Sequence, residues 1–243
     1  MIEFQNVSKS YKKGSKAVDG LNMTVNNGEI FGFLGPNGAG KSTTIRMLTG
    51  ILNIDEGKIL CDGHDITAEP MAAKRSFGYV PDSPDQFLSM KGIEYLNFVA
   101  DIYDVADRKE KIRTLTQKFE IFDALNNQIE SYSHGMRQKI VICGALLHDP
   151  DNWILDEPMT GLDPRSAYDL KEMMRQHADS GKCVFFSTHV LDVAEKICDR
   201  VGIIHNGKLL FVGTLQEMRD TFKENTSLEE LFLEITEDAQ TNI

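Results

Sequence analysis

Apolar residues fall along this chain in three rhythms. The first is a set of short, nearly unbroken apolar runs that end in glycine, acidic or hydroxyl residues: Ile30 to Leu34, Trp153-Ile154-Leu155, and Val184 to Ser187. Such runs predict strands buried on both faces, as in a parallel sheet. The second rhythm alternates loosely. Ile2 to Val7 and Ala17 to Val25 predict strands, with Lys12-Lys13-Gly14 as a turn between them and Asn26-Asn27-Gly28 closing the second. This opening predicts an antiparallel sheet leading into an α/β core. Thr43 to Thr49 predicts a helix with Gly50 at its C-terminus. Lys58 to Cys61 and Phe77 to Val80 predict short strands, the latter stopped by Pro81 and Pro84.

The third rhythm is helical and runs from about Lys91 to His148. Ile93, Leu96, Phe98, Val99 and Ile102 predict one stripe; Ile112, Leu115, Phe119 and Phe122 a second, over Asp107 to Phe122. Ser133 to Leu147 predicts a third helix with Ser133 as N-cap. Residues 83–149 therefore read as a helical subdomain inserted into a core of residues 1–82 and 150–213. In the resumed core, Pro164 to Asp179 predicts a helix with proline at its start. Val201 to Ile204 and Leu209 to Val212 flank Asn206-Gly207, a hairpin signal. Residues 214–243 predict two short helical patterns and an acidic end.

The first apolar run delivers the chain into Gly35-Pro36-Asn37-Gly38-Ala39-Gly40-Lys41-Ser42-Thr43, where Gly35, Gly40, Lys41 and Ser42 fit G-x-x-x-x-G-K-[ST]. Glycines at positive φ let successive amides turn inward as a nest for phosphate oxygens. The helix that follows aims its positive end at the same oxygens. Lys41 would reach the β- and γ-phosphates, and the Ser42 hydroxyl would ligate Mg²⁺. The second run ends in Asp156-Glu157, two carboxylates at the strand end where open α/β sheets bind ligands. Asp156 would hold Mg²⁺ and Glu157 would polarise the attacking water.

At this point the chain resembles the nucleotide-binding subunit of an ATP-binding-cassette (ABC) transporter, over residues 1 to about 215. Tyr132-Ser133-His134-Gly135-Met136 stands at the signature position, Gly161-Leu162-Asp163 at the D-loop, and Ser187-Thr188-His189 at the switch histidine. The resemblance implies an α/β, phosphate-loop (RecA-like) core with an N-terminal antiparallel β subdomain and an inserted α-helical subdomain. It implies adenine stacking by Tyr11, γ-phosphate sensing by His189, and Ser133 and Gly135 acting in trans on ATP held by a second copy or a paralogous cassette. Where the family carries a glutamine after Tyr79-Val80-Pro81, this chain has Asp82, whose carboxylate would touch the Mg²⁺ shell through water. His134 and Met136 replace a glycine and a glutamine of the signature, a form similar to separately encoded bacterial export-type cassettes. His134 and His205 read as exposed. The loop Asp85 to Met90, with Phe87, Leu88 and Met90, either packs under the insert or stands exposed as a docking patch, and the resemblance implies the second, a seat for a separately encoded membrane permease.

Composition narrows the alternatives. The net charge of −11 opposes a nucleic-acid partner. Met1-Ile2-Glu3-Phe4 lacks a basic n-region and a long apolar run, so no signal peptide is expected. The longest apolar run, Ile140 to Leu147, is far short of the ~20 residues that span a bilayer. The expected place is the cytoplasm, peripheral on the inner face of the membrane. Four scattered cysteines, Cys61, Cys143, Cys183 and Cys198, read as thiols in a reducing compartment. A soluble, non-transport ABC ATPase acting on a macromolecular complex is the alternative. A small-molecule phosphate-loop kinase is weaker, because it has no use for a signature motif.

Overall fold

The computed structural model describes residues 1–12 and 14–222. In chain order, β1 (Ile2–Lys12), β2 (Ser15–Val25) and β3 (Ile30–Leu34) precede α1 (Lys41–Leu48). Then come β4 (Glu56–Cys61), β5 (His64–Asp65), α2 (Pro70–Arg75) and β6 (Phe77–Val80). The helices α3 (Gly92–Ile102), α4 (Arg108–Lys118) and α5 (His134–Leu146) follow. Strand–helix alternation resumes with β7 (Asn152–Asp156), α6 (Pro164–Asp179), β8 (Cys183–Thr188) and α7 (Leu191–Ile197). The hairpin β9 (Arg200–His205) and β10 (Lys208–Gly213) leads to α8 (Leu215–Phe222).

Among the described residues the strands form two sheets, ordered β2-β1-β4-β5 and β10-β9-β3-β8-β7-β6. The first is antiparallel, as the alternating opening predicts. In the second, β9, β3, β8, β7 and β6 run parallel and only β10 is reversed. Every residue of β3, β7 and β8 is buried, which is why these strands read as continuous apolar runs rather than alternating ones. Phe31, Phe33 and Phe185 pack between the sheets with ring centroids 5.6–6.0 Å from one ring to the next. Cys61, Cys143 and Cys183 are buried free thiols and Cys198 is half-buried. Burial raises the Cys61 thiol to about 11, so it stays protonated and unreactive at neutral pH.

Register places four strand ends side by side. Leu34 lies opposite Thr188, Asp156 opposite Ser187, and Val80 opposite Leu155. Whatever follows each strand therefore converges on one edge of the sheet.

Several expectations change. On α3 the buried face is Gly92, Tyr95, Leu96 and Ala100, while Phe98 and Ile102 are 42% and 52% exposed. Phe98 lies roughly 200° around the helix from Leu96, so both cannot face the core. Phe122 is also exposed, because α4 ends at Lys118 and the chain turns before reaching it. Leu88 packs against the core rather than standing free. The ring nitrogens of His205 are buried, not exposed, and have no hydrogen-bond partner among the described residues. Helices α2 and α7 and the strand β5 are additions; each helix buries a single residue, Ala73 or Ala194, too little to print a period. Lys13, in the expected turn, and the second helical pattern with its acidic end lie outside the described residues.

His177 near the end of α6 carries a testable consequence. Its ring meets Trp153 edge-on at 5.6 Å, and burial, helped by Lys182, pushes its pKa down to about 4. The folded chain thus holds a neutral imidazole that the unfolded chain protonates below pH about 6.5. Between pH 6.5 and 4 the unfolded state binds more protons at this group, so its contribution to stability is full above pH about 6.5 and is lost as pH falls toward 4. The loss approaches about 3 kcal/mol at the lower end. Urea unfolding across pH 7.5 to 4.5 checks this. His148, which burial also shifts down, contributes with the same sign, so His177→Gln should reduce the slope between pH 7 and 5 without abolishing it, and an unchanged slope would place the proton uptake elsewhere.

Candidate functional site

The phosphate-loop sequence folds as its residue types require. Gly40 sits at φ 115°, where a Cβ would also come within 2.6 Å of the Ala17 carbonyl, so glycine alone fits there. The Asn206-Gly207 turn braces this loop from behind: the Gly207 amide donates to the Ala39 carbonyl (2.9 Å), and its carbonyl accepts from the Asp19 amide (2.8 Å). The loop opens on a cleft of about 440 Å³ lined by Tyr11, Ala17, Pro36, Asn37, Gly38, Gly40, Lys41, Ser42, Thr43, Asp82 and Glu157. Gly35 and Ala39 are buried behind it, holding the loop rather than lining the cleft.

Charge in the cleft is arranged around Lys41. Its ammonium is buried and donates to the carbonyls of Gly35 (2.6 Å) and Pro36 (3.3 Å). It also lies 3.5 Å from the Glu157 carboxylate. Glu157 adopts φ 47°, an uncommon conformation for a residue of this size, and its carboxylate meets His189 Nδ1 at 3.0 Å. The Ser187 hydroxyl ties this corner together by donating to Asp156 Oδ1 (2.5 Å) and accepting from the Glu157 amide (3.1 Å). Sequence reasoning gave Ser187 no role. Its signal is its register, directly opposite Asp156 at the end of the neighbouring strand.

Asp156 is fully buried, and burial raises its pKa, against the pull of the Ser187 and Ser42 hydroxyls; Asp82 and Glu157 add repulsion. Its Oδ2 is buried with no hydrogen-bond partner among the described residues. An orphaned carboxylate oxygen, with the Ser42 hydroxyl and the exposed Asp82 carboxylate nearby, is a set of hard oxygen donors and fits Mg²⁺. Among the described residues no group of three or more His, Cys, Asp or Glu could hold a metal by itself, so such an ion would rely on Ser42 and on ligand phosphates.

At the aromatic end of the cleft Tyr11 is exposed, with its hydroxyl 3.3 Å from Thr43 Oγ1. Ser133 and Gly135 do not line the cleft. Ser133 instead caps α5, its hydroxyl accepting from the Met136 amide at 3.3 Å, as expected of its position.

Comparison with known proteins agrees with this geometry. The ABC transporter family model matches residues 18–160. The daunorubicin/doxorubicin resistance ATP-binding protein DrrA of Streptomyces peucetius is 37% identical over 226 residues, covering 92% of this chain and 68% of that protein. The ABC transporter ATP-binding protein NatA of Bacillus subtilis is 34% identical over 227 residues, covering 91% and 92%. A solved ATP-binding subunit of an ABC transporter superposes with a TM-score of 0.93 at 32% identity, over 97% of this chain and 99% of that one. With a phosphate loop, a carboxylate pair and a strand-end histidine meeting at one sheet edge, the chain belongs to the ABC transporter family, as one of its ATP-hydrolysing cassettes.

Proposed function

We propose that this cassette powers a separately encoded membrane permease by closing on ATP-Mg²⁺ as a dimer and opening on hydrolysis. Lys41, Ser42, Thr43 and the loop amides of Gly35 to Gly40 hold the triphosphate, and Tyr11 stacks on the adenine. Ser42, Asp156 and, through water, Asp82 serve the metal ion, which supplies charge neutralisation on the phosphates. Glu157 takes a proton from the attacking water, and His189 reads the γ-phosphate. Because Ser133 and Gly135 stand outside the cleft of their own chain, a second cassette completes each site. The partner cassette is a second copy or a paralogue, working on the inner face of the membrane. No described helix is long and apolar enough to cross a membrane. The drug-resistance names of relatives such as DrrA and the linearmycin resistance protein LnrL support an export-type system.

The observation that carries the permease is an aromatic ridge that catalysis does not need. Phe87, 45% exposed and at φ 55°, packs its ring 5.4 Å from Tyr95 and 5.8 Å from Phe98. Exposed Ile102 lies one turn beyond Phe98 on α3. Beside them Tyr95, Val99, Tyr103 and His148 line a cleft of about 260 Å³ with Ile51 on its far wall. An apolar surface of this kind, held partly by a strained backbone, is a docking surface for a helix end of the permease. Leu88, packed on the core, is set aside from the docking residues expected from the sequence. Phe87→Ala and Phe98→Ala should each weaken capture of the co-purifying multi-span protein about 5- to 30-fold. ATP turnover of the isolated chain should stay within about twofold, since neither ring touches the phosphate site. If the variants melt early yet capture the permease normally, the ridge is packing and the docking reading fails.

A further inference from the structure

The loop that carries Glu157 into α6 is not free-standing. It runs through two successive turns, with the Thr160 amide donating to the Glu157 carbonyl (3.2 Å) and the Leu162 amide to the Met159 carbonyl (3.3 Å). The face of α5 formed by residues 134, 135, 138 and 139 grips it at three places. Gln138 Nε2 reaches the Pro158 carbonyl at 3.5 Å. The His134 ring covers Gly161 so closely that a methyl group there would overlap its Cδ2 and lie 2.8 Å from Nε2. Lys139, itself buried, pairs with Asp163 at 3.1 Å, the residue that caps α6. Gly135 completes the fit, because a Cβ there would stand 2.7 Å from the Gly161 carbonyl.

Most of these contacts belong to groups with ordinary structural uses. His134 is different. It is an exposed, bulky ring where the signature pattern has the smallest residue, and it closely covers a glycine at φ 77°. Gly161 can adopt that φ without strain and has no side chain to displace the ring. The two positions are therefore fitted to each other within the same chain.

We propose that His134 is a positioning residue for hydrolysis: its ring clamps Gly161 and so fixes the loop 158–163, and with it Glu157, to the first turn of α5. It does not line the phosphate cleft of its own chain. It acts by restricting where the backbone after Glu157 can move, so its loss lowers turnover rather than nucleotide affinity. The proposal rests on the reading of Glu157 as the base, but the clamp itself can be read independently of catalysis.

The experiment combines amide hydrogen exchange on the nucleotide-free chain with steady-state kinetics. His134→Ala should speed exchange of the amides of residues 159–163 by about fivefold or more, with those of β7 unchanged as the internal control for global stability. Its kcat should fall about fivefold, with KM for ATP within about twofold. His134→Phe keeps the ring without its nitrogens and should restore both. Gly161→Ala should be severe alone, through overlap with the ring and through its φ. In the His134→Ala background the overlap is gone, so the double variant should retain about fivefold more activity than the product of the two single losses predicts. Parental exchange of the loop in His134→Ala, or single effects that simply multiply, would overturn the clamp. Should Glu157→Gln turn over normally, the base assignment would fall while loop exchange still decided the clamp.

Discussion

Glu157→Gln should lower ATP hydrolysis roughly 10²–10⁴-fold while leaving ATP binding in place, the usual worth of a positioned general base. The geometry explains why this substitution isolates the chemistry. Glutamine keeps the length and one acceptor oxygen, so the 3.0 Å contact with His189 Nδ1 and the approach to Lys41 survive. The tie from the Glu157 amide to Ser187 belongs to the backbone and is unaffected. What disappears is the ability to take a proton. A closed dimer that cannot cleave its nucleotide should accumulate in ATP and run as the larger species in size-exclusion chromatography. Phosphate release and elution position are measured on the same preparation. Hydrolysis at the parental rate would mean that the proton goes to another group, with His189 the nearest to examine.

Much of the catalytic corner could be read from the chain because local chemistry dictates it. A buried parallel strand needs an apolar run, and a phosphate nest needs glycines at positive φ; both constraints act on adjacent residues. That is why Ile30 to Thr43 and Trp153 to Glu157 announce strand, turn and charge together. Features that arise across the sheet were silent. Ser187 became part of the site because β8 lies between β3 and β7 and sets it opposite Asp156, a fact of register that no single segment contains. The stripe on α3 was misassigned for a related reason. Five apolar residues in ten cannot all face one way at 3.6 residues per turn, and which of them is left outside depends on α5 and the loop below, not on α3.

The family resemblance contributed what periodicity could not: the significance of a histidine after β8 and of Ser133 and Gly135 on a helix away from the cleft. His134 is exposed, as its sequence suggests, but exposure says nothing of its packing partner Gly161, twenty-seven residues downstream in a different element. A contact of that kind is decided by how α5 seats on the loop before α6. The hairpin turn Asn206-Gly207 shows the same limit from the other side. Its existence was legible in two residues, but its use, tying Ala39 of the phosphate loop to Asp19 of β2, appears only once β9 lies beside β3.

Lys41→Ala should lower affinity for ATP about 10- to 150-fold, measured by isothermal titration in the presence of Mg²⁺. The ammonium is buried, 6% exposed, and already faces the place where the triphosphate would lie. A charge-assisted hydrogen bond at such a site is worth about 1.5–3 kcal/mol, which sets the range. Losing the cation has a second effect. Glu157, 3.5 Å away, would then present its carboxylate to the phosphates with no compensating charge between them. Lys41→Arg should not rescue, because a planar, larger guanidinium cannot fold back onto the Gly35 and Pro36 carbonyls within the same space. Thermal melting supplies an independent reading. ATP should raise the melting temperature of the parental chain, since a ligand bound only by the folded state stabilises it in proportion to the logarithm of its saturation. The Lys41→Ala variant should lose most of that rise while melting near the parental value without nucleotide, apart from about 1 kcal/mol for the hydrogen bonds it no longer makes. Parental affinity in Lys41→Ala would show that the amide nest and helix terminus hold the nucleotide alone, and that Lys41 belongs only to the chemistry.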